Sequence, residues 1–345
     1  TALLLLSGGT TGISKLIPRR HTDYLYVAEE SAKTSGMSAE SVFIAAIPIA
    51  HNFALGTPGV IGTLAVGGRI VICSVPSPDE IIPLIEEEKG TIISLVPALA
   101  NLCADFLEMD DLYDISSLQV LQIGGSCLEC SVAQRLMRVF GCKLQQIYGI
   151  AEGLFCSTSL DDSDDIICTC QGKILSDELE YKILDSTGED SDEGELLIRG
   201  PYTITGYFNL PDINKESFTK EGYFCTGDKV KKTKEGNFQV KGRTKETINR
   251  AGEKIMPAEI ESYLLEFPGI REVSVLGIPD EKQGEIVCAY VMADIEVKYE
   301  EVRKFFLNKG VTLYKIPDMV KQIDIWPLTS VGKIDKKKLA AMAME

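Results

Sequence analysis

Apolar and polar positions along this chain change their spacing as it proceeds, and the changes mark out its architecture. Short apolar runs at 42–47, 69–74, 91–96, 118–122 and 144–147 are rich in Ile, Val and Leu and too brief for helices, so they predict buried strands. Between them, 55–66, 77–88, 97–106 and 131–140 predict helices; Ser77-Pro78-Asp79 is a start signal, and the glycine-interrupted 55–66 segment is expected to line a cleft. This alternation predicts an α/β domain with a doubly wound parallel sheet covered on both faces. Ligands on such sheets collect beyond the carboxyl ends of the strands, where Gly124-Gly125-Ser126 and the loop 148–153 fall. A buried strand at 2–6 and a helix at 21–33, capped by Thr22 or Asp23, precede this region.

From Gly172 the pattern shifts to short alternating strands at 179–184, 195–199 and 237–241, an antiparallel β unit with 185–193 as a solvated connector. After Gly242-Arg243-Thr244-Lys245 a smaller α+β unit follows, with helices at 258–266 and 299–309 and strands at 272–278 and 285–293. The expected domains are therefore 1–244 and 245–345, with the boundary at Lys245.

The length of 345 residues, 45% apolar, suits two soluble domains with a sizeable core. A net charge of −16 argues against a nucleic-acid backbone as partner. The acidity is uneven: 1–244 carries 20 Lys and Arg against 34 Asp and Glu, whereas 245–345 carries 15 against 17 and ends in Lys333, Lys336, Lys337 and Lys338. No apolar run reaches a membrane-spanning length, and 2–6 lacks the flank and length of a signal peptide, so a cytoplasmic protein without a membrane partner is expected. Ten dilute cysteines read as free thiols in a reducing compartment. Cys127, Cys130, Cys168 and Cys170 are a weaker alternative, a zinc site, because C-x-C is an uncommon half-site.

Candidate chemistry begins at Ser7-Gly8-Gly9-Thr10-Thr11-Gly12-Ile13-Ser14-Lys15. Glycines let backbone N–H groups converge, while Ser7, Thr10 and Thr11 add hydroxyls and Lys15 a positive charge, a composition suited to phosphate oxygens. A hairpin whose glycines merely supply positive φ is the competing reading. A Walker A loop is excluded, because Ile13-Ser14 separates Gly12 from Lys15.

Together with Y-G-I-A-E-G at 148–153, T-G-D at 226–228, G-R-T-K-E-T-I at 242–248 and L-T-S-V-G-K at 328–333, this stretch resembles the adenylate-forming superfamily of acyl-CoA synthetases, peptide-synthetase adenylation domains and luciferases. Within it the chain is most similar to the 2,3-dihydroxybenzoate-AMP ligases of siderophore biosynthesis. That likeness rests on S-K-L-I-P-R at 14–19, A-H-N-F at 50–53, V-P-S-P-D at 75–79, L-Q-V-L-Q-I-G-G at 118–125 and I-N-R-A-G-E-K at 248–254. The resemblance implies the adenylate-forming fold, with further chain ahead of the phosphate loop that is missing from this sequence. It also implies a reaction in two steps: an aryl acid and ATP give aryl-AMP and pyrophosphate, and the phosphopantetheine thiol of an aryl carrier protein then takes the aryl group.

Joining two anions is repulsive, by about 4 kcal/mol for unit charges 4 Å apart at an effective dielectric of 20, so cations must gather at the reacting atoms. The family pattern gives that task to Lys333, which on its own would read as a solvated tail lysine. It implies nucleotide contacts at Ser7, Gly8, Gly9, Thr10, Thr11, Gly12 and Lys15, adenine beside Gly124, Gly125, Tyr148 and Gly149, ribose or phosphate at Asp228 and Arg243, and Mg²⁺ at Glu152. His51, with a catalytic part, and Asn52, Phe53, Thr57 and Ala151 would face the acid. Lys245 would be a hinge, and Ala251 and Gly252 would lie along the pantetheine arm. Taken singly, each also has an ordinary structural reading: a capped turn, an ion pair, a core aromatic or a buried histidine. Phe53 and Thr57 stand where relatives tend to have tyrosine and serine, which leaves salicylate and 2,3-dihydroxybenzoate both open. An acyl-CoA ligase using free CoA, and a nucleotide-binding fragment without turnover, are the remaining alternatives.

Overall fold

In the computed structural model the described residues are 1–6, 15–109, 112–280, 282–329 and 333–344, with the backbone alone at Lys245 and Lys254. They form two compact units: Thr1–Thr226 with Lys231–Val240 and Val331–Lys333, and Gly227–Val230 with Lys241–Ser330 and Ile334–Glu345. No helix among the described residues is long and apolar enough to cross a membrane.

The first unit opens with β1 (Leu3–Leu6) and β2 (Leu16–Arg19), paired antiparallel so that Leu6 faces Leu16. The glycine- and hydroxyl-rich stretch thus joins the two strands of a hairpin, and Ser7, Gly8, Gly9, Thr10, Thr11 and Gly12 lie outside the described residues. The expectation of a buried strand at 2–6 is corrected here. Leu5 is buried, but Leu6 is 70% exposed, because a two-stranded ribbon covers only one of its faces. In α1 (His21–Thr34) neither Thr22 nor Asp23 is the N-cap; Arg20 is, and Asp23 reaches back from inside the helix to accept the Arg20 N–H at 3.1 Å.

The main sheet comprises β3 (Val42–Ala45), β4 (Arg69–Ile72), β5 (Ile92–Leu95), β6 (Val120–Gly124), β7 (Lys143–Ile150), β8 (Leu154–Ser157) and β9 (Lys173–Ile174), in the order β4-β3-β5-β6-β7-β8-β9. It is parallel through β7, and β8 and β9 add antiparallel. The central strands β3, β5 and β6 are short and mostly apolar, as burial on both faces requires. Helices α2 (Asn52–Gly56), α3 (Gly59–Ala65), α4 (Pro78–Glu88), α5 (Pro97–Met109), α6 (Cys130–Phe140) and α7 (Asp164–Thr169) connect the strands. The helix expected over 55–66 is two short ones on either side of Thr57-Pro58, since proline has no N–H for the helical ladder. From β3 the chain goes to β4 on one side and returns to β5 on the other. The order reverses at β3 and β5, and a doubly wound sheet takes its ligand at such a switch point, outside the carboxyl ends of the strands.

A second sheet, in the order β10-β11-β12-β13, is built from β10 (Glu180–Leu184), β11 (Glu193–Arg199), β12 (Phe224–Lys232) and β13 (Phe238–Arg243), with α8 (Pro211–Ser217) between β11 and β12. In the second unit, β14 (Ile248–Arg250), β15 (Glu253–Ile255), α9 (Pro257–Leu265), β16 (Ile270–Asp280), β17 (Gly284–Ala293), α10 (Tyr299–Asn308), β18 (Met319–Gln322) and α11 (Lys336–Met344) follow. Its sheet runs β15-β14-β17-β16, with β18 parallel to β17. Neighbouring residues of β16 serve opposite faces: Val275 packs with Ile260, Leu264 and Phe306, and Leu276 with Tyr290, Trp326 and Leu339.

One ion pair ties the first unit together. Arg19, 2% exposed, meets Asp23 at 3.1 Å, donates to the Ala151 carbonyl at 2.7 Å and reaches the Tyr202 carbonyl at 3.3 Å. Replacing Arg19 with Leu strands two carbonyls and strips a buried carboxylate of its inner partner, at an expected cost of about 3–5 kcal/mol in a urea unfolding experiment. Arg19→Lys should restore little of it, because an ammonium lacks the fork that spans these acceptors.

Candidate active site

The segment leaving β3 delivers the residues expected to face an acid. His51 is the N-cap of α2, and its Nδ1 accepts the Phe53 N–H at 3.3 Å. That bond places the proton of the neutral ring on Nε2. Burial, and then the ammonium of Lys333, push the His51 pKa down to about 4, so the imidazole is neutral at pH 7. The Oδ1 of Asn52 accepts from the Tyr24 hydroxyl at 2.9 Å. Phe53 is buried against the end of β6: a Cβ on Gly124 would stand 3.1 Å from its ring tip and 2.9 Å from the Ile147 carbonyl. Glycine is the residue that lets the ring and the strand meet. Thr57 is buried too, with its hydroxyl 3.4 Å from both the Asn52 and the Phe53 carbonyls.

Just past β6, Gly125 has a φ of +88° and lies in close company. A Cβ there would be 3.4 Å from the Val96 side chain and 3.4 Å from Cε of Lys333, with Nζ of Lys333 at 3.9 Å. Lys333 groups with the first unit and is half-buried. His51, Phe53, Gly124, Gly125 and Lys333, far apart in the chain, are therefore brought together at the carboxyl ends of β3, β5 and β6.

The expected loop at 148–153 is corrected: Tyr148 and Gly149 are still in β7, opposite Cys156 and Phe155, and only Ala151, Glu152 and Gly153 turn. Two independent anchors hold the turn. Arg19 takes the Ala151 carbonyl, and the Ile204 N–H donates to the Glu152 carbonyl at 2.8 Å. The Tyr207 hydroxyl donates to Oε1 of Glu152 at 2.8 Å, and Nζ of Lys15 lies 4.4 Å above the Tyr207 ring. A carboxylate restrained through one oxygen suits Mg²⁺, which commonly takes one or two carboxylates and fills its shell with phosphates and water. Among the described residues no group of three or more His, Cys, Asp or Glu could hold a metal, and the four cysteines weighed for zinc form no disulfide and belong to no such group.

In the second unit Arg243 donates from Nε to Oδ1 of Asp228 at 2.9 Å; Asp228 is 3% exposed. Lys245 lies in the single turn Thr244–Glu246, and its side chain is outside the description. Ala251 and Gly252 form the exposed turn between β14 and β15, at φ of 51° and 93°. Arg19, Asp23, Tyr24 and Tyr207 were not foreseen as site residues. For Arg19 and Asp23 the i, i+4 spacing at a helix start was a usable signal; for Tyr207 there was none.

The AMP-binding enzyme family matches residues 1–208, and the AMP-binding enzyme C-terminal domain matches 259–333. The 2,3-dihydroxybenzoate-AMP ligase of Bacillus subtilis is 45% identical over 342 residues, covering 98% of this chain and 63% of that protein. Pyochelin synthase PchD of Pseudomonas aeruginosa is 43% identical, covering 98% and 62%. The apo structure of Mycobacterium smegmatis MbtA superposes with a TM-score of 0.68 at 38% identity, over 99% of this chain and 64% of that one. The chain spans less than two thirds of the length of these relatives. With most of its first unit and much of its second matched in order, the chain belongs to the AMP-binding enzyme family.

Proposed function

We propose that the protein activates an aryl carboxylic acid, 2,3-dihydroxybenzoate or salicylate, with ATP and passes the aryl group to the phosphopantetheine thiol of an aryl carrier protein. The observation that carries this reading is the approach of Lys333 to Gly125 and His51, at the carboxyl ends of the central strands where Asn52 and Phe53 also gather. The 45% identity to a 2,3-dihydroxybenzoate-AMP ligase supports the choice of acid.

In the first step a carboxylate oxygen of the acid attacks the α-phosphorus of ATP. The bond from that phosphorus to the β-bridging oxygen breaks, and pyrophosphate leaves with the electron pair. Lys333 offsets the repulsion between the two anions, while neutral His51 and the Asn52 amide bind the acid through uncharged donors. Phe53, Thr57 and Ala151 bound the ring. Lys15 and the hydroxyl-rich loop take phosphate oxygens; Tyr148 and Gly149 lie along adenine with Gly124 and Gly125; Asp228, steadied by Arg243, accepts from the ribose hydroxyls. Glu152 would hold Mg²⁺, which when bound neutralises phosphate charge. In the second step the thiol sulfur attacks the acyl carbon, a C–S bond replaces the C–O bond to AMP, and the thiol proton is lost. Lys245 is the hinge between the steps, and Ala251-Gly252 borders the pantetheine arm.

Carboxylate-dependent ATP–pyrophosphate exchange tests the first step. Exchange with a hydroxybenzoate is expected to fall by about 10²–10³-fold in Lys333→Ala while ATP still binds. If no acid supports exchange in the unaltered protein although ATP binds, the ligase reading is wrong. Supplying carrier protein or free CoA as acceptor then separates a carrier-dependent ligase from a CoA ligase.

The neutral state of His51 has its own signature. Its pKa of about 4 when folded lies below the unfolded value of 6.5, so between these pH values the unfolded chain binds a proton that the folded one does not. Stability tied to His51 is therefore complete above about pH 6.5 and is lost as pH falls toward 4. In His51→Gln the urea midpoint should vary less over this interval than in the parent. Equal slopes would mean that His51 titrates normally.

A further inference from the structure

We propose that Tyr24 is a positioning residue that selects ortho-hydroxy acids, by orienting the amide of Asn52; this deepens the aryl-acid reading and rests on it. Tyr24 is 3% exposed and touches the site through one polar atom, the hydroxyl that donates to Oδ1 of Asn52 at 2.9 Å. With Oδ1 occupied, the N–H donors of the amide are left for the acid, where one donates to the oxygen of an ortho hydroxyl, a bond that benzoate has no atom to accept. If the amide turned over, its nitrogen could still donate to the phenol oxygen, but the buried phenol O–H would lose the acceptor it has in Oδ1, and the N–H donor aimed at the ortho oxygen of the acid would be replaced by an acceptor. The Tyr24 hydroxyl therefore chooses the face that Asn52 presents.

The ring is held rigidly enough for this. A Cβ on Gly56 would come within 2.6 Å of Cζ and 2.8 Å of the hydroxyl oxygen of Tyr24, so α2 can lie against the phenol only because position 56 has no side chain. The guanidinium of Arg19 lies 5.0 Å from the ring centroid and is itself fixed by Asp23 and the Ala151 carbonyl. Burial pushes the phenol pKa up to about 12, so the hydroxyl remains a donor at any working pH. Tyr24 thus acts on the acid through Asn52, and Arg19 acts on Asn52 through Tyr24.

Pyrophosphate exchange is measured with salicylate, 2,3-dihydroxybenzoate and benzoate on the parent, Tyr24→Phe and Gly56→Ala. In Tyr24→Phe the preference for either ortho-hydroxy acid over benzoate, as a ratio of kcat/KM, should fall about tenfold, the loss of one buried hydrogen bond. The change should sit in KM for the acid, with KM for ATP unchanged. Gly56→Ala keeps the hydroxyl but drives it from Asn52, so the same ratio should fall. A purely structural role would depress all three acids alike and leave the ratio as it was, and that result in Tyr24→Phe overturns the proposal. Should Tyr24→Phe fail to fold, an unchanged ratio in Gly56→Ala overturns it instead. Absence of exchange in the parent would bring down the aryl-acid reading itself, and this proposal with it; a working parent with an unshifted ratio removes Tyr24 alone.

Discussion

A guanidinium shut away from water must find every partner inside the protein, and in this chain that constraint falls on Arg19. Its charge is met by Asp23 one helical turn on, its fork by the carbonyls of Ala151 and Tyr202, and its face by the ring of Tyr24. These partners belong to α1, to the turn after β7 and to the segment after β11. The backbone that carries Glu152 and the helix that carries Tyr24 are thus registered against one another by one side chain. The glycine-rich segment returns into β2, which ends at Arg19, so the hairpin framing that segment shares the same anchor.

The net charge of −16 sets a second constraint. A field of that sign repels both a nucleotide and a carboxylic acid at long range, so the attraction has to be local. Lys333 beside Gly125 and Lys15 above Tyr207 are such points in the first unit. In the second unit Lys336 serves differently, as an ion pair with Glu246 at 2.7 Å. Burial works against its charge, but Glu261 and Glu246 outweigh it and raise its pKa. Glu246 closes the turn that contains Lys245, so this pair braces the proposed hinge rather than meeting a substrate.

The parallel sheet and its helices were legible because buried strands must be apolar on both faces, and 42–45, 92–95 and 120–124 are nearly so. The strands that went unread have other burdens. In β12, Thr226-Gly227-Asp228 interrupts the alternation with a glycine and a carboxylate. β8 follows directly on a turn and contains no β-branched residue. At the site, identities were readable and directions were not. Thr57 stands where a ring-facing hydroxyl is expected, yet its Oγ1 is taken up by the carbonyls of its own helix. Asn52 was picked out by its setting in A-H-N-F, whereas the phenol that orients it lies 28 residues earlier and shows no periodic or charged signal. The second partner of a long-range polar contact carries no local mark, and that is the part of a site which a chain conceals.

The same geometry bears on which acids could enter. A neutral imidazole, an amide and one lysine meet a carboxylate well, but 51–57 contains no carboxylate to meet an ammonium. An α-amino acid in this position would have to shed the water around its ammonium group against Phe53 and Thr57 with no counter-charge there, a penalty of several kcal/mol that binding its carboxylate does not recover. Lys333 adds to that penalty through like-charge repulsion, the effect that also helps to keep His51 unprotonated. On the proposed reading, the features that make the pocket hold an aromatic acid are those that keep a zwitterion out. Selectivity against amino acids then needs no separate device, whereas selectivity among aromatic acids depends on the finer matter of where the Asn52 amide points.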